Sequence, residues 1–171
     1  LNIDWSPVVL PSKGTHLWLE NDSLPIKNSM VLQTKDKRII FVIPQRNSIL
    51  VGTTEDPIDP KEDILNLEPT QKEIDYLLDV VNQYFPKNHI TQKNILSSFS
   101  GVRPLIRSSS SSSKTSRLHK IFTPDKNMYV LVGGKYTTFR KMAEHLNSKI
   151  FKQLGIKHDK TLTLKPLRRL S

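Results

Sequence analysis

The run Val130-Leu131-Val132-Gly133-Gly134-Lys135-Tyr136-Thr137-Thr138-Phe139-Arg140 limits the possible folds more than any other stretch. An apolar segment meets two glycines and passes into an amphipathic pattern, which predicts a strand, a bare-backbone turn and a helix start. Glycines let a ligand approach the main chain closely, and the first turn of a helix offers unpaired N–H groups at the positive end of its dipole. An anion or an electron-rich ring suits such a turn, although a plain connector has the same sequence.

The chain leading up to this turn reads mostly as strands. Pro7 and Pro11 punctuate an extended opening, and a Lys13-Gly14 turn precedes a short strand expected over 15–19. Further strands are expected over 30–34, 39–43 and 48–52, with short polar separators, so the pattern favours an antiparallel meander over βαβ units. Residues 55–69, acidic and carrying Pro57, Pro60 and Pro69, predict a loop. Thr70-x-x-Glu73 matches a capping box, and Ile74, Leu77, Leu78, Val81, Tyr84 and Phe85 then recur at helical spacing until Pro86. Such a stripe is core far more often than a binding groove.

A strand over 95–99 leads into Ser100-Gly101-Val102-Arg103-Pro104-Leu105, where Arg103 is expected in a turn between Gly101 and Pro104. The serine run within 108–116 predicts a mobile low-complexity loop. Strands are expected over 118–123 and 128–132, the second almost wholly apolar and therefore expected to be buried on both faces. The helix after Lys135 carries Phe139, Met142, Ala143, Leu146, Ile150 and Leu154 on one face and is expected to end near Gly155.

Charge and composition bound the partners. Across 171 residues, 26 Lys and Arg against 16 Asp and Glu leave +10. That surplus fits an anionic partner such as nucleic acid, an acidic membrane surface or a phosphorylated metabolite, and equally fits simple solubility. The absence of cysteine excludes disulfides and thiolate metal sites and fits a reducing compartment. No stretch approaches the ~18 apolar residues of a membrane span, so any membrane contact is expected to be peripheral. The sequence opens at Leu1 as though in mid-chain, and a longer protein is expected.

Four side chains stand out. Alternation aims His16 away from its strand neighbours Leu17 and Leu19, and histidine titrates near neutrality, as a general base should. A lone strand histidine is more often a hydrogen-bonded structural residue. Arg103 and Arg117 offer guanidinium forks for phosphate or carboxylate, and Lys135 places a point charge at the helix mouth. Singly, each cation reads as a solvated charge. Neither a Ser-His-Asp order, a Walker loop nor a His-rich metal cluster is recognisable.

At these residues the chain resembles a known family. Lys13-Gly14-Thr15-His16, Ile39-Ile40-Phe41-Val42-Ile43-Pro44, Gly52-Thr53-Thr54-Glu55-Asp56, Ser100-Gly101-Val102-Arg103-Pro104-Leu105 and Gly133-Gly134-Lys135-Tyr136-Thr137-Thr138-Phe139-Arg140-Lys141-Met142-Ala143-Glu144 are similar, in order, to blocks of FAD-dependent glycerol-3-phosphate dehydrogenase. More distantly, Gly-x-Arg-Pro and Gly-Gly are shared with D-amino-acid-oxidase-like flavoproteins. The resemblance implies an α+β fold. An antiparallel substrate-binding cap sheet with a covering helix is expected over 11–98, and the returning strand, Gly-Gly turn and helix of an FAD-binding domain over 99–157. A basic tail over 158–171 would open a truncated C-terminal region. No Gly-x-Gly-x-x-Gly is present, so the segment holding the ADP half of FAD is expected to be missing and the piece inactive alone.

The chemistry implied by the resemblance is oxidation of sn-glycerol 3-phosphate to dihydroxyacetone phosphate. Hydride passes from C2 to flavin N5, and electrons move on to quinone, or to oxygen in related oxidases. His16 would take the C2 hydroxyl proton. Arg103 and Arg117 would hold the substrate, Arg117 at the phosphate, with Lys135 also on the substrate. Gly133, Gly134, Lys135 and Thr137 would lie against FAD. The implied residence is peripheral, on the cytoplasmic side of a bacterial inner membrane or on the mitochondrial inner membrane, and an oligomer is compatible with it. The competing class, a basic module for nucleic acid or acidic membrane, lacks a recognisable reader motif.

Overall fold

The computed structural model describes residues 9–59, 61–106 and 118–157, together with 159, 161, 164 and 165. Arg117, the serine-rich loop expected over 108–116 and most of the tail expected over 158–171 lie outside them. The architecture is mixed α+β, and it divides into two compact units, Pro11–Arg103 and the residues that flank it.

In the Pro11–Arg103 unit the meander expected from short polar separators is present. Strands β2 (Met30–Gln33), β3 (Ile39–Pro44) and β4 (Ser48–Gly52) pair antiparallel in sequence. Strand β1 (Val9–Glu20) pairs antiparallel with β4 along its second half and with the two-residue β5 (Asp56–Pro57) at Ser12 and Lys13. Strand β6 (Ile95–Ile106) also pairs with β1. Two expected turns are therefore strand: Lys13-Gly14 lies inside β1, and Gly101-Val102-Arg103-Pro104 inside β6. Glycine and proline mark turns only where no neighbouring ladder recruits the backbone.

Helix α1 (Gln71–Tyr84) covers one face of this sheet. Thr70 caps it as expected, with the reciprocal Thr70–Glu73 hydrogen bonds of a capping box, and the helix stops before Pro86. Leu77, Leu78 and Val81 are buried against the alternating residues Leu17 and Leu19 of β1, Ile40 and Val42 of β3, and Ile49 and Val51 of β4. Tyr84, expected in that stripe, is 46% exposed. Its hydroxyl donates to the Gln33 carbonyl at 2.6 Å and accepts from the Gln33 N–H at 3.1 Å, tying the helix end to β2.

A polar cluster sits inside the apolar contact between helix and sheet. Lys13 and Thr15 share the buried face of β1 with Leu17 and Leu19, and both reach Glu73, itself 6% exposed. Lys13 Nζ lies 2.9 Å from Glu73 Oε2 and also donates to the Glu68 carbonyl. Thr15 and Thr54 donate to Oε1 at 2.7 and 3.1 Å, while the Thr70 N–H and hydroxyl both donate to Oε2 at 2.8 Å. Having donated to Glu73, the Thr15 hydroxyl accepts from Ser100 of β6 at 2.7 Å. Burial alone would raise the carboxyl, but bonds from Thr15, the Thr70 N–H, Lys13 and the Thr70 hydroxyl hold it down at about 2.

In the flanking unit, β7 (Lys120–Asp125) and β8 (Met128–Val132) form an antiparallel hairpin with an irregularity between Phe122 and Asp125. Strand β8, expected to be buried on both faces, is only half-buried, with Met128 39% exposed. Its apolar run shows what it could bury, whereas among the described residues its sheet has only two strands. A short 3₁₀ turn, Tyr136–Thr138, precedes helix α2 (Phe139–Leu154). Gly155 ends α2 in the left-handed conformation at φ 67°, and the Ile156 N–H reaches the Phe151 carbonyl at 2.9 Å, a Schellman-type stop. Met142, Leu146 and Ile150 are half-buried, and Phe139 and Leu154 at the helix ends are 64% and 61% exposed.

The glycines between β8 and α2 have a reason that sequence did not supply. Gly133 and Gly134 have φ of 76° and 85°, where a side chain is strained. A Cβ on Gly133 would lie 2.6 Å from Ile106 Cδ1 and 2.9 Å from the Leu118 carbonyl oxygen; one on Gly134 would lie 2.4 Å from Met142 Sδ. The close approach that calls for glycine here is made by the chain itself.

Two stability outcomes follow from these contacts. A carboxyl lowered from 4.5 to about 2 contributes stability that is complete above the higher value and lost as pH falls through the lower one, about 3 kcal/mol in all. Urea midpoints should therefore fall between about pH 5 and pH 3 in the wild type, and a Glu73→Gln chain, weaker at neutral pH by about 3 kcal/mol or more, should lack most of that slope. Equal slopes in both chains would remove Glu73 from this role. Gly133→Ala should cost about 2 kcal/mol or more in the same assay with no ligand present, through strained φ and overpacking; an unchanged midpoint would contradict the contacts with Ile106 and Leu118.

Candidate functional site

The sheet face opposite α1 carries the candidate residues of the Pro11–Arg103 unit. Strand register aligns Val31, Phe41, Gly52 and His16 in one row across β2, β3, β4 and β1. His16 thus points away from Leu17 and Leu19, as alternation requires. Its imidazole lies against the bare Cα of Gly52, where a Cβ would come within 2.2 Å of His16 Cδ2. On β6, Phe99 stacks with the ring, with centroids 5.0 Å apart and planes 8° from parallel.

His16 Nδ1 is buried with no hydrogen-bond partner among the described residues. The usual structural role of a strand histidine, as a bonded bridge, is therefore not what holds this ring. Burial lowers its pKa below the ordinary 6.5, and the positive charge of Arg103 lowers it further. A neutral imidazole at physiological pH can accept a proton, which is what general-base chemistry requires.

Arg103 is held in a strand, contrary to the expected turn, and its side chain is anchored across the sheet. Nη1 donates to the Lys13 carbonyl at 3.2 Å and Nη2 to Thr53 Oγ1 at 2.6 Å. The guanidinium lies over Gly14, where a Cβ would be 2.1 Å from Nη2. Such a fixed fork differs from a solvated surface cation, since its orientation is set before any anion arrives. Of the residues singled out by sequence, His16 and Arg103 are brought close enough to interact electrostatically. Gly14, Gly52, Thr53 and Phe99, which shape their surroundings, were given no role at the site by the sequence, although the first three stand in the blocks that carry the resemblance. The register His16↔Gly52 was the available signal, because a glycine opposite a histidine leaves room for the ring.

Gly133, Gly134, Lys135 and Thr137 form one continuous turn in the flanking unit, with Lys135 and Thr137 exposed. The Lys135 N–H donates to Thr138 Oγ1 at 3.1 Å, and that hydroxyl donates back to the Lys135 carbonyl at 2.9 Å. This local clasp uses one of the donors expected to face a ligand. First-turn N–H groups and the Lys135 ammonium remain chemically matched to the pyrimidine edge of a flavin, which accepts hydrogen bonds and gains negative charge on reduction. The donor set therefore fits FAD, while the glycines are accounted for by Ile106, Leu118 and Met142.

Among the described residues no group of three or more His, Cys, Asp or Glu is placed to hold a metal, and no helix is long and apolar enough to cross a membrane. Arg117 lies outside the described residues.

Comparison with known proteins gives these residues a context. The chain is 37% identical over 136 residues to the aerobic glycerol-3-phosphate dehydrogenase of Bacillus subtilis (strain 168), covering 79% of this chain and 24% of that protein. It is 34% identical over 159 residues to the aerobic glycerol-3-phosphate dehydrogenase of Staphylococcus aureus (strain USA300), covering 91% of this chain and 28% of that one. It spans about a quarter of the length of the curated relatives it matches. Its structure superimposes with a TM-score of 0.75, at 30% identity, on the glycerol-3-phosphate dehydrogenase from Bacillus halodurans complexed with FAD, covering 90% of this chain and 29% of that one. The protein-family model for FAD dependent oxidoreductases (DAO) matches residues 2–143, and on that match the chain belongs to the FAD-dependent oxidoreductase family.

Proposed function

We propose that these residues serve the FAD-dependent oxidation of sn-glycerol 3-phosphate to dihydroxyacetone phosphate, within a protein of the length of its relatives. The observation that carries this reading is the imidazole of His16, whose buried Nδ1 has no hydrogen-bond partner among the described residues, set beside the anchored guanidinium of Arg103. Relatives that share most of this chain are glycerol-3-phosphate dehydrogenases. Substrate and chemistry then match. The substrate brings a secondary alcohol whose proton must be accepted and a phosphate dianion that suits guanidinium forks.

In this reading His16 accepts the C2 hydroxyl proton as the C2 hydride leaves. Arg103, fixed by Lys13 and Thr53, orients the reacting end of the substrate, and Arg117 and Lys135 bind its anionic part. Residues Gly133, Gly134, Lys135 and Thr137 would hold FAD, which when bound would supply the hydride acceptor. Lys135 also favours the negative charge that builds up beside it on reduction. Electrons pass onward to quinone, which places the protein peripherally at a membrane.

A chimera tests the reading: the matching segment of one of the relatives is replaced by these 171 residues. The product should be yellow and reduce an artificial dye with glycerol 3-phosphate. His16→Gln should retain the flavin and lose about 10²–10⁴ of turnover. Because burial and Arg103 lower the His16 pKa, the acid limb of kcat/KM should fall below pH 6.5 and vanish in the variant. Full turnover in His16→Gln would exclude this histidine as the base.

A further inference from the structure

We propose that packing, in place of a hydrogen-bonded partner, fixes the imidazole of His16: Phe99 and Gly52 clamp it from either side, which makes Phe99 a positioning residue for the proton-accepting step. The proposal deepens the reading of His16 as a base and rests on it.

Catalytic bases are commonly oriented by a third group that hydrogen-bonds the far ring nitrogen. His16 has no such group among the described residues, because its Nδ1 is buried and unbonded. The two groups that flank the ring are apolar. Phe99 lies parallel to it at 5.0 Å, and on β4 the Cα of Gly52 takes the place where any side chain would strike Cδ2 and Cγ. Glycine inside a strand ordinarily weakens it, and Gly52 is not one of the glycines with positive φ. The room it leaves is filled by the imidazole. Gly14 does the same for the guanidinium of Arg103, so two glycines on neighbouring strands seat the two planar polar groups of this face.

By burying the ring, the clamp also disfavours the imidazolium. A carboxylate orienter would favour the imidazolium. Here Arg103 from β6 is the charged group acting on the ring, Gly52 faces it from β4, and Phe41 is next in the same row. The buried carboxylate of Glu73 and the ammonium of Lys13 lie on the opposite face of β1, paired with each other. With neither ring nitrogen hydrogen-bonded among the described residues, the tautomer is selected by the hydroxyl that arrives. The step balances: the hydroxyl O–H bond breaks and a His16 N–H bond forms, the freed pair becomes the second bond of the C2 carbonyl as the C2–H bond breaks, and FAD, when bound, would be the acceptor of that hydride.

Two measurements test the clamp. The first is an NMR titration of histidine ring protons in this chain across about pH 5 to 8, with His16→Gln providing the assignment. Phe99→Leu should abolish the upfield ring-current shift of the His16 protons and raise the His16 pKa toward 6.5, whereas Phe99→Trp should preserve both. Phe99 is 44% exposed, so its truncation leaves the apolar core intact. Gly52→Ala supplies a second perturbation, pushing the ring aside and moving the same resonances. Unchanged His16 shifts and pKa in folded Phe99→Leu and Gly52→Ala chains would overturn the clamp.

The second measurement uses the chimera described above. Phe99→Leu should lower kcat about tenfold or more with KM for glycerol 3-phosphate little changed. It should also raise the acid limb, and it should add nothing to His16→Gln in the double variant. Additive losses, or a wild-type kcat and pH profile in Phe99→Leu, would overturn the positioning role. A parent chimera that folds and binds FAD yet leaves glycerol 3-phosphate unoxidised would count against the proposed reaction alone, and the NMR comparison would still decide the clamp.

Discussion

The packing of the larger unit depends on one buried carboxylate. Glu73 is the third residue of α1 and closes its capping box, yet its side chain also reaches β1 through Lys13 and Thr15 and the segment after β4 through Thr54. Thr15 extends the same chain of bonds to Ser100 on β6. A charge placed there would be costly without compensation, and five donors from three parts of the chain provide it. The arrangement is directional in a way that apolar packing is not. Leu77 and Val81 could slide over Leu17 and Ile40, whereas Lys13 and Thr15 meet Glu73 in only one register.

That register governs the other face of β1. Side chains alternate along a strand, so fixing Lys13 and Thr15 inward against Glu73 fixes Gly14 and His16 outward. Gly14 then lies under the guanidinium of Arg103 and His16 against Gly52 and Phe99. Polar pairing on the helix side of the sheet thereby sets the geometry of the candidate chemistry on the opposite side.

Much of this fold was legible because its signals are local. Period-two alternation with short polar separators gave the meander, Thr70-x-x-Glu73 gave the start of α1, and Gly155 the end of α2. The errors fall where distant pairing overrides local preference. Lys13-Gly14 and Gly101–Pro104 read as turns until β4, β5 and β1 draw them into ladders. Strand β8 reads as fully buried because its composition allows that, not because two covering faces are present. At the candidate site, alternation gave the direction of His16, but the stack with Phe99 joins residues far apart in sequence and has no local signature. Glu73 was visible only as a cap. The missed clue was Lys13, a lysine on an otherwise inward-facing row, which needs a buried anion.

The bond pair between Tyr84 and Gln33 has a consequence of a different kind. Strand β2 is the outer member of its sheet, and an outer strand offers unpaired N–H and C=O groups to any extended chain that drifts alongside. Met30 and Val31 on β2 are exposed and apolar, which would make such docking adhesive. By occupying both the N–H and the carbonyl of Gln33, the Tyr84 hydroxyl blunts the end of that border. The last turn of α1 thus guards the sheet against growing by a strand from another molecule, a safeguard against self-association built from a single phenol.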